Sequence, residues 1–307
     1  MLNIIYCFDE NYNIQAITSI FSLLDNTSVK VNLYIVHKDL ETLDSNFNLI
    51  RNHKNLNSIN EINFEFQVEF PNLKGSHVSE ATYYRLFLED LIPSNLKNIL
   101  YLDADIVCIS DPAIEIQKVF EDLDKSKKTV AVAQENLTTL ELGDISNRLE
   151  IDSRRYFNAG VMFIDLDRWR KKSVKKDSLN VIKKKNAQLK YWDQDVLNIL
   201  FSHDHKIIDH KFNFNINIED PIKLPNDILF LHYAGSFKPW TVRGALEKNS
   251  IYYMNTYRKH SDKKFHITHT WKYSSLLHLI KGFINLKIIN TRHPFSFFKE
   301  VIKSFLN

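Results

Sequence analysis

NILYLDADIVCISDP, residues Asn98 to Pro112, runs from an apolar segment into an acidic one and then into a turn. Ile99, Leu100, Tyr101 and Leu102 predict a buried strand, and the Asp111-Pro112 pair predicts the turn after it. Between them lies Asp103-Ala104-Asp105. Side chains alternate along an extended chain, so Asp103 and Asp105 project to one side with a single methyl between them. Two carboxylates that close repel, and keeping both ionised at the end of a core strand is costly. A divalent cation removes that cost, and hard oxygen ligands suit Mg²⁺, Mn²⁺ or Ca²⁺. A pair of solvated loop aspartates is the plainer alternative. The strand before it and Ile106-Val107 after it argue against a merely wet loop.

The surrounding composition is that of an ordinary globular protein. A chain of 307 residues, 44% hydrophobic and 25% charged, is long enough to bury a sizeable core. Cys7 and Cys108 both sit in apolar runs; they read as core residues, give no disulfide framework and favour a reducing compartment. The start, MLNIIYCFDE, lacks the basic and long apolar regions of a signal peptide, and no run of about 18 apolar residues exists. A cytoplasmic location is expected. The net charge of +3 is uneven: residues 266–307 hold six Lys/Arg against Glu300 alone, leaving 34 basic and 36 acidic side chains in residues 1–265. Bulk nucleic-acid binding by the body is therefore excluded.

Hydrophobic periodicity predicts strands at Leu2–Phe8, Val31–Val36, Thr129–Ala133, Gly160–Ile164 and Asp227–Leu231. Ile62–Phe70 alternates perfectly and predicts a further strand, with Ile62, Phe64, Phe66, Val68 and Phe70 inward. Helices are predicted at Asn11–Asp25, from a Ser79 cap to Asp90, near Ile114–Leu123, and over Val174–Lys185 and Asp193–Phe201, with Asp193 as a cap. Alternating strands and helices imply an α/β layered fold with ligands at the carboxyl ends of strands. The six glycines form neither GxGxxG nor a Walker loop. Any phosphate bound here must be neutralised by metal and side chains. His203-Asp204-His205 reads as surface.

Further patterns accompany the acidic pair. Phe8-Asp9-Glu10-Asn11-Tyr12 follows the first strand, Arg85 lies within ATYYRLFL, and Phe157-Asn158-Ala159-Gly160-Val161 opens a strand. Tyr191-Trp192-Asp193-Gln194-Asp195 begins a helix, and His232-Tyr233-Ala234-Gly235-Ser236-Phe237-Lys238-Pro239-Trp240 follows the last strand. Bland explanations exist for each: Asp9 or Asn11 as a cap, Arg85 in a structural ion pair, Asn158 and Gly160 in a turn. Taken in order over roughly residues 1–240, the set resembles glycosyltransferase family 8, which includes bacterial lipopolysaccharide galactosyl- and glucosyltransferases and glycogenin.

The resemblance implies a GT-A type fold, mostly a parallel sheet flanked by helices. It implies retaining transfer of a hexose from UDP-galactose or UDP-glucose to a saccharide acceptor. Asp103, Asp105 and His232 would then be the metal ligands. A nitrogen ligand beside two carboxylates favours Mn²⁺, with Mg²⁺ as a substitute. Cys7, Asp9, Asn11 and Tyr12 would meet the nucleotide. Arg85, Asp103, Ala104, Asn158, Ala159, Asp193 and Gly235 would frame the donor, and Lys238 its diphosphate. Gln194 would face the anomeric carbon; as a poor nucleophile it favours front-face substitution over double displacement, for which Asp193 is the alternative carboxylate. Gln134 or Glu135 would reach the acceptor. A glycogenin-like self-glucosylating enzyme and a non-catalytic sugar-nucleotide-binding module stay open as alternatives.

The predicted division is a catalytic region, residues 1–240, and a helical basic region, residues 241–307. In the latter, Ser274, His278, Lys281 and Asn285 form a polar stripe, with Leu276, Leu277, Leu279, Ile280, Phe283 and Ile284 around it. After Pro294, Phe297, Phe298, Val301, Ile302 and Phe305 form a second apolar face opposite Lys299 and Lys303. Such faces either pack on the body or lie in a membrane interface. The local excess of positive charge favours an anionic membrane surface, and a lipid-linked oligosaccharide acceptor would make that location useful.

Overall fold

In the computed structural model, which describes residues 1–43, 45–68, 70, 79–219, 223–268 and 272–306, the apolar runs pair into two sheets. The strands are Leu2–Cys7 (β1), Val31–His37 (β2), Leu56–Asn63 (β3), Asn98–Leu102 (β4), Ile106–Cys108 (β5), Val130–Gln134 (β6), Phe157–Asp165 (β7), His205–Ile208 (β8), Phe214–Asn215 (β9) and Phe230–His232 (β10). Seven of them form the order β3-β2-β1-β4-β7-β6-β8, and β5-β10-β9 form a small second sheet. All pairs in the large sheet are parallel except those of β7, which runs against both β4 and β6. Strand order reverses between β1 and β4. The carboxyl ends of these two strands therefore open side by side, the place where an α/β sheet leaves a ligand crevice.

Alternation along β1 sends Ile4 and Tyr6 into one core and Ile5 and Cys7 into the other. The first core lies under the Asn13–Asn26 and Ala113–Ser126 helices; the second takes Trp169, Val196, Leu197 and Phe201 from the other face. A third core joins Val107, Leu231, Tyr233 and Trp240 to Tyr253, Met254, Phe265, Phe297 and Val301.

Three expectations change. The Ile62–Phe70 run leaves the sheet at Asn63, because β2 ends at His37, the residue paired with Asn63, and an edge strand stops where its partner does. Its alternation survives in the packing: Phe64 is buried and stacked on Tyr84, and Phe66, Val68 and Phe70 pack on the same core. Glu69 and residues 71–78 lie outside the described residues. The Ser79 segment is a 3-10 helix, Glu80–Phe87, capped by Ser79 and continued by the short Leu88–Leu91 helix. His205 is core, not surface, since β8 adds onto β6 and the ring nitrogen lies 2.6 Å from the Phe201 carbonyl.

The C-terminal helices Lys272–Ile284 and Pro294–Leu306 dock with part of their surface. In the first the buried stripe is Ser275, Leu279 and Gly282, so Leu276, Leu277, Ile280, Phe283 and Ile284 face outward. In the second Phe297, Val301 and Ser304 are buried, and Phe298 and Ile302 are exposed.

Burial pushes His266 in the third core down to about 3, and its Nδ1 lies 2.7 Å from the Tyr253 hydroxyl. Between the ordinary value of 6.5 and about 3, the unfolded chain binds a proton that the folded one refuses. Folded-state stability from this residue thus falls as pH falls through that window, by at most about 1.4 kcal/mol per pH unit. Thermal melts from pH 7 to pH 4 are expected to show a shallower loss in His266→Gln than in the natural protein.

Candidate active site

A cleft of about 520 Å³ opens at the ends of β1 and β4, lined by Cys7, Tyr12, Arg85, Asp103, Ala104, Asp105, Asn158, Asp193, Gln194, His232, Gly235 and Lys238, among others. Register explains the convergence. β10 runs antiparallel to β5 with His232 opposite Ile106, which sets the imidazole beside Asp105. Leu102 pairs with Val161 across β4 and β7, and Asp103 N donates to the Gly160 carbonyl at 2.8 Å. Two sheets thus meet on the Asp103-Ala104-Asp105 bend.

The two aspartates are held differently. Asp103 Oδ1 accepts from the Tyr101 hydroxyl at 2.6 Å and from Arg85 Nη1 at 3.2 Å. Asp105 Oδ2 accepts from Lys238 Nζ at 2.5 Å, and Lys238 also donates to the Tyr233 carbonyl at 2.7 Å. Burial alone would raise the Asp105 carboxyl, but Lys238 and His232 outweigh it and hold it well below the usual range. Asp105 Oδ1 is buried, has no hydrogen-bond donor among the described residues and lies 3.2 Å from His232 Nε2. One ligand atom from each of Asp103, Asp105 and His232 lies within 4.8 Å of the others. A buried carboxylate oxygen without a donor, facing a second carboxylate and an imidazole, fits a divalent cation.

Arg85 ties the cleft together. It donates through Nε to Asp193 Oδ2 and through Nη1 to the Ala159 carbonyl, at 2.6 Å in the second case. Its guanidinium lies 4.4 Å from the centre of the Tyr101 ring. Burial would lower the guanidinium; Asp193, Tyr101 and Asp103 outweigh that and hold it above its ordinary value. Asp193 is 2% exposed, with its other oxygen receiving the Thr82 hydroxyl. It is not the helix cap that sequence suggested: Asp195 accepts from Lys190 N and Tyr191 N at 2.8 and 2.9 Å. Trp192, at φ +49°, turns the chain between them in a left-handed conformation unusual for an aromatic residue. Gln194 Oε1 accepts from Ala159 N at 3.0 Å, and its Nε2 donates to the Tyr156 hydroxyl at 3.3 Å.

At the β1 end, Cys7 and Tyr12 line the cleft, whereas Asp9 caps the 3-10 turn by accepting from Asn11 N, and the Asn11 side chain is exposed. Gly235 has φ +78°, which admits the turn toward Lys238. Glu135 reaches the cleft and Gln134 does not, its amide being bound to the Arg154 carbonyl. Sequence reasoning missed Asp195, Tyr156 and Asn213. Tyr101 was within reach, because alternation places it on the same side as Asp103.

Residues 3–243 match Glycosyl transferase family 8. The chain belongs to that family. It is 30% identical over 255 residues to a lipopolysaccharide 1,2-glucosyltransferase of Escherichia coli, covering 78% of this chain and 73% of the relative. It is 33% identical over 175 residues to a lipopolysaccharide 1,3-galactosyltransferase of Salmonella typhimurium, covering 54% of this chain and 50% of the relative. Among solved structures, the galactosyltransferase LgtC in complex with donor and acceptor sugar analogues superposes with a TM-score of 0.70 at 21% identity, over 89% of this chain and all of that one. The fold of this family 8 member is thus the GT-A type.

A Cβ placed on Gly160 would lie 2.3 Å from His232 Cε1 and 3.0 Å from Asn158 Oδ1, while one on Gly143 would meet nothing within 4 Å. Gly160→Ala is expected to destabilise by about 1–3 kcal/mol and to abolish any rise in Tm produced by Mn²⁺. Gly143→Ala, inside the Thr139–Leu149 helix, should raise stability by roughly 0.5–1 kcal/mol and leave the Mn²⁺ response intact. Differential scanning calorimetry with and without Mn²⁺ measures both.

Proposed function

We propose that the protein transfers a hexose from UDP-galactose or UDP-glucose to a saccharide acceptor, with retention at the anomeric carbon, in lipopolysaccharide or other cell-surface glycan assembly. The observation that carries this reading is the approach of Asp103, Asp105 and His232 around an unsatisfied Asp105 oxygen at the floor of the cleft. The names of the two lipopolysaccharide enzymes support both the hexose and the acceptor class. Asp103, Asp105 and His232 would hold the cation, Mn²⁺ by preference and Mg²⁺ as a substitute. Such a cation would supply Lewis-acid stabilisation for the negative charge of a departing UDP.

The protein's own groups do the rest. Cys7 and Tyr12, which line the cleft, take the nucleotide end. Lys238, pinned by Asp105 and the Tyr233 carbonyl, supplies a point charge toward the diphosphate. Arg85, Ala104, Asn158, Ala159, Asp193 and Gly235 frame the sugar. Both Asp193 oxygens are engaged, by Arg85 and by Thr82, which disfavours Asp193 as a covalent nucleophile. The Gln194 carboxamide, fixed by Ala159 and Tyr156, is a neutral dipole suited to an oxocarbenium-like centre. Front-face substitution follows: the acceptor oxygen bonds the anomeric carbon as its bond to UDP breaks, and the leaving phosphate takes the acceptor's proton. UDP release in a coupled assay with a panel of UDP-sugars, and proton NMR of the new glycosidic bond, test the donor and the stereochemistry. Asp105→Asn is expected to lower kcat/KM on the order of 10²–10³-fold in protein that still folds, with a lowered Tm because Lys238 loses its buried partner. Undiminished turnover in cation-free buffer would sink the metal assignment.

We propose further that residues 241–307 seat the enzyme on the inner face of the cytoplasmic membrane. No helix among the described residues is long and apolar enough to cross a membrane. The C-terminal helices nevertheless turn apolar side chains outward, with Ile284 74%, Phe295 90% and Leu306 81% exposed. Lys281, Arg292, Lys299 and Lys303 are exposed in the same segment, and each basic residue near an anionic surface contributes about 1 kcal/mol. Phe265, Phe297 and Val301 belong to the third core, so deleting the segment would open that core. Point changes are the sounder test. Full-length protein with Ile284→Ser, Phe295→Ser and Leu306→Ser is expected to hydrolyse donor normally but to stop co-sedimenting with phosphatidylglycerol vesicles. Equal sedimentation of the two proteins would refute the membrane role.

A further inference from the structure

We infer that Asn213 is a positioning residue of the cation site, acting through His232, and that Glu135 sets the direction of the hydrogen-bond chain that holds it. The inference rests on Asp103, Asp105 and His232 being cation ligands. His232 Nδ1 lies 2.8 Å from Asn213 Oδ1, Asn213 Nδ2 lies 2.9 Å from Asn158 Oδ1, and Asn158 Nδ2 lies 2.7 Å from Glu135 Oε2. His232, Asn213 and Asn158 are all buried. An amide chain of this kind has two possible polarities, and its fixed ends choose between them. A carboxylate only accepts, so Asn158 must turn its Nδ2 toward Glu135 and its Oδ1 inward. Gly160 N donates to that same Oδ1 at 2.9 Å, which only an oxygen permits. Asn213 is then obliged to donate to Asn158 and to accept from His232.

The consequence falls on the imidazole. Its Nδ1 proton is held by Asn213, and Nε2 is the nitrogen left facing Asp105 Oδ1 at 3.2 Å and Asp103 Oδ2 at 4.0 Å. A ligating histidine needs that arrangement, with a lone pair at one nitrogen and a hydrogen-bonded N–H at the other. Chain geometry maintains it. β9 lies parallel to β10 with Asn215 beside His232, and Ile216 N donates to the His232 carbonyl at 3.0 Å. The segment carrying Asn213 is thereby tied to the strand carrying its partner. Glu135 lines the cleft, so the chain spans from that wall to the cation ligands.

The test is a Mn²⁺ titration of the full-length protein without donor, read by electron paramagnetic resonance of the free ion, on four proteins: natural, Asn213→Ala, His232→Ala and the double variant. Melting curves without cation verify folding, and Asn213→Ser serves in place of Asn213→Ala if the latter does not fold. Asn213→Ala is expected to weaken Mn²⁺ binding by about 10–100-fold, the usual effect of losing the partner of a ligating histidine. In the His232→Ala background the same change should make no difference. Unchanged affinity in Asn213→Ala overturns the inference, and so does an equal loss with and without His232, which would make Asn213 merely structural. Absence of Mn²⁺ binding by the natural protein removes the cation reading itself, and this inference with it.

Discussion

Neutralising buried carboxylates is the constraint on which this site depends. Asp105 and Asp193 are buried, Asp103 is half-buried beside them, and burial penalises each ionised form. Arg85 answers Asp193 and Asp103, and Lys238 answers Asp105. These cations come from segments far apart in the chain, so the charge balance exists only once the sheet is assembled. Removing one partner from such a set leaves an uncompensated buried charge, which typically costs about 3–5 kcal/mol. Among the described residues, Asp105 Oδ1 is buried without a hydrogen-bond donor, and it points at His232.

Around that charge balance the scaffold leaves little freedom. β7, the strand that runs against its neighbours, brings Asn158, Ala159 and Gly160 to the cleft by way of its pairing with β4. Ala159 then uses both backbone groups, its carbonyl for Arg85 and its N–H for Gln194. Gly160 leaves room for the His232 ring. Asp195 gathers the Lys190 and Tyr191 amides, the Tyr156 hydroxyl and Arg148 from the Thr139–Leu149 helix, so the wall beside Gln194 is tied to the rest of the cleft.

The C-terminal helices follow a different logic. An amphipathic helix ordinarily buries its apolar face. Here Ser275, Leu279 and Gly282 dock the Lys272–Ile284 helix, and Gly282 admits Leu246 and Ile288 so closely that a Cβ would lie 2.8 Å from the former. The broader apolar surface is turned outward, next to basic side chains. That orientation comes from which stripe fits the third core, and composition alone does not predict it.

What the sequence determined by itself is local. Apolar runs set β1, β2, β4, β6 and most of β7, Ser79 set the start of its helix, the alternation of Phe64, Phe66, Val68 and Phe70 foretold their inward packing, and Asp103-Ala104-Asp105 at a strand end announced the acidic pair. Each of these depends on residues within a few positions of one another. Tertiary structure decided the rest. Ile62–Phe70 is not a full strand, because strand pairing needs a partner that β2 no longer supplies; His205 is buried because β8 found β6; and Asp195, not Asp193, gathers the amides at the start of its helix. Asn213 could not be read at all, since its role consists of contacts with His232, 19 residues away, and Asn158, 55 residues away. An isolated amide carries no period and no spacing rule, and only the folded chain gives it partners.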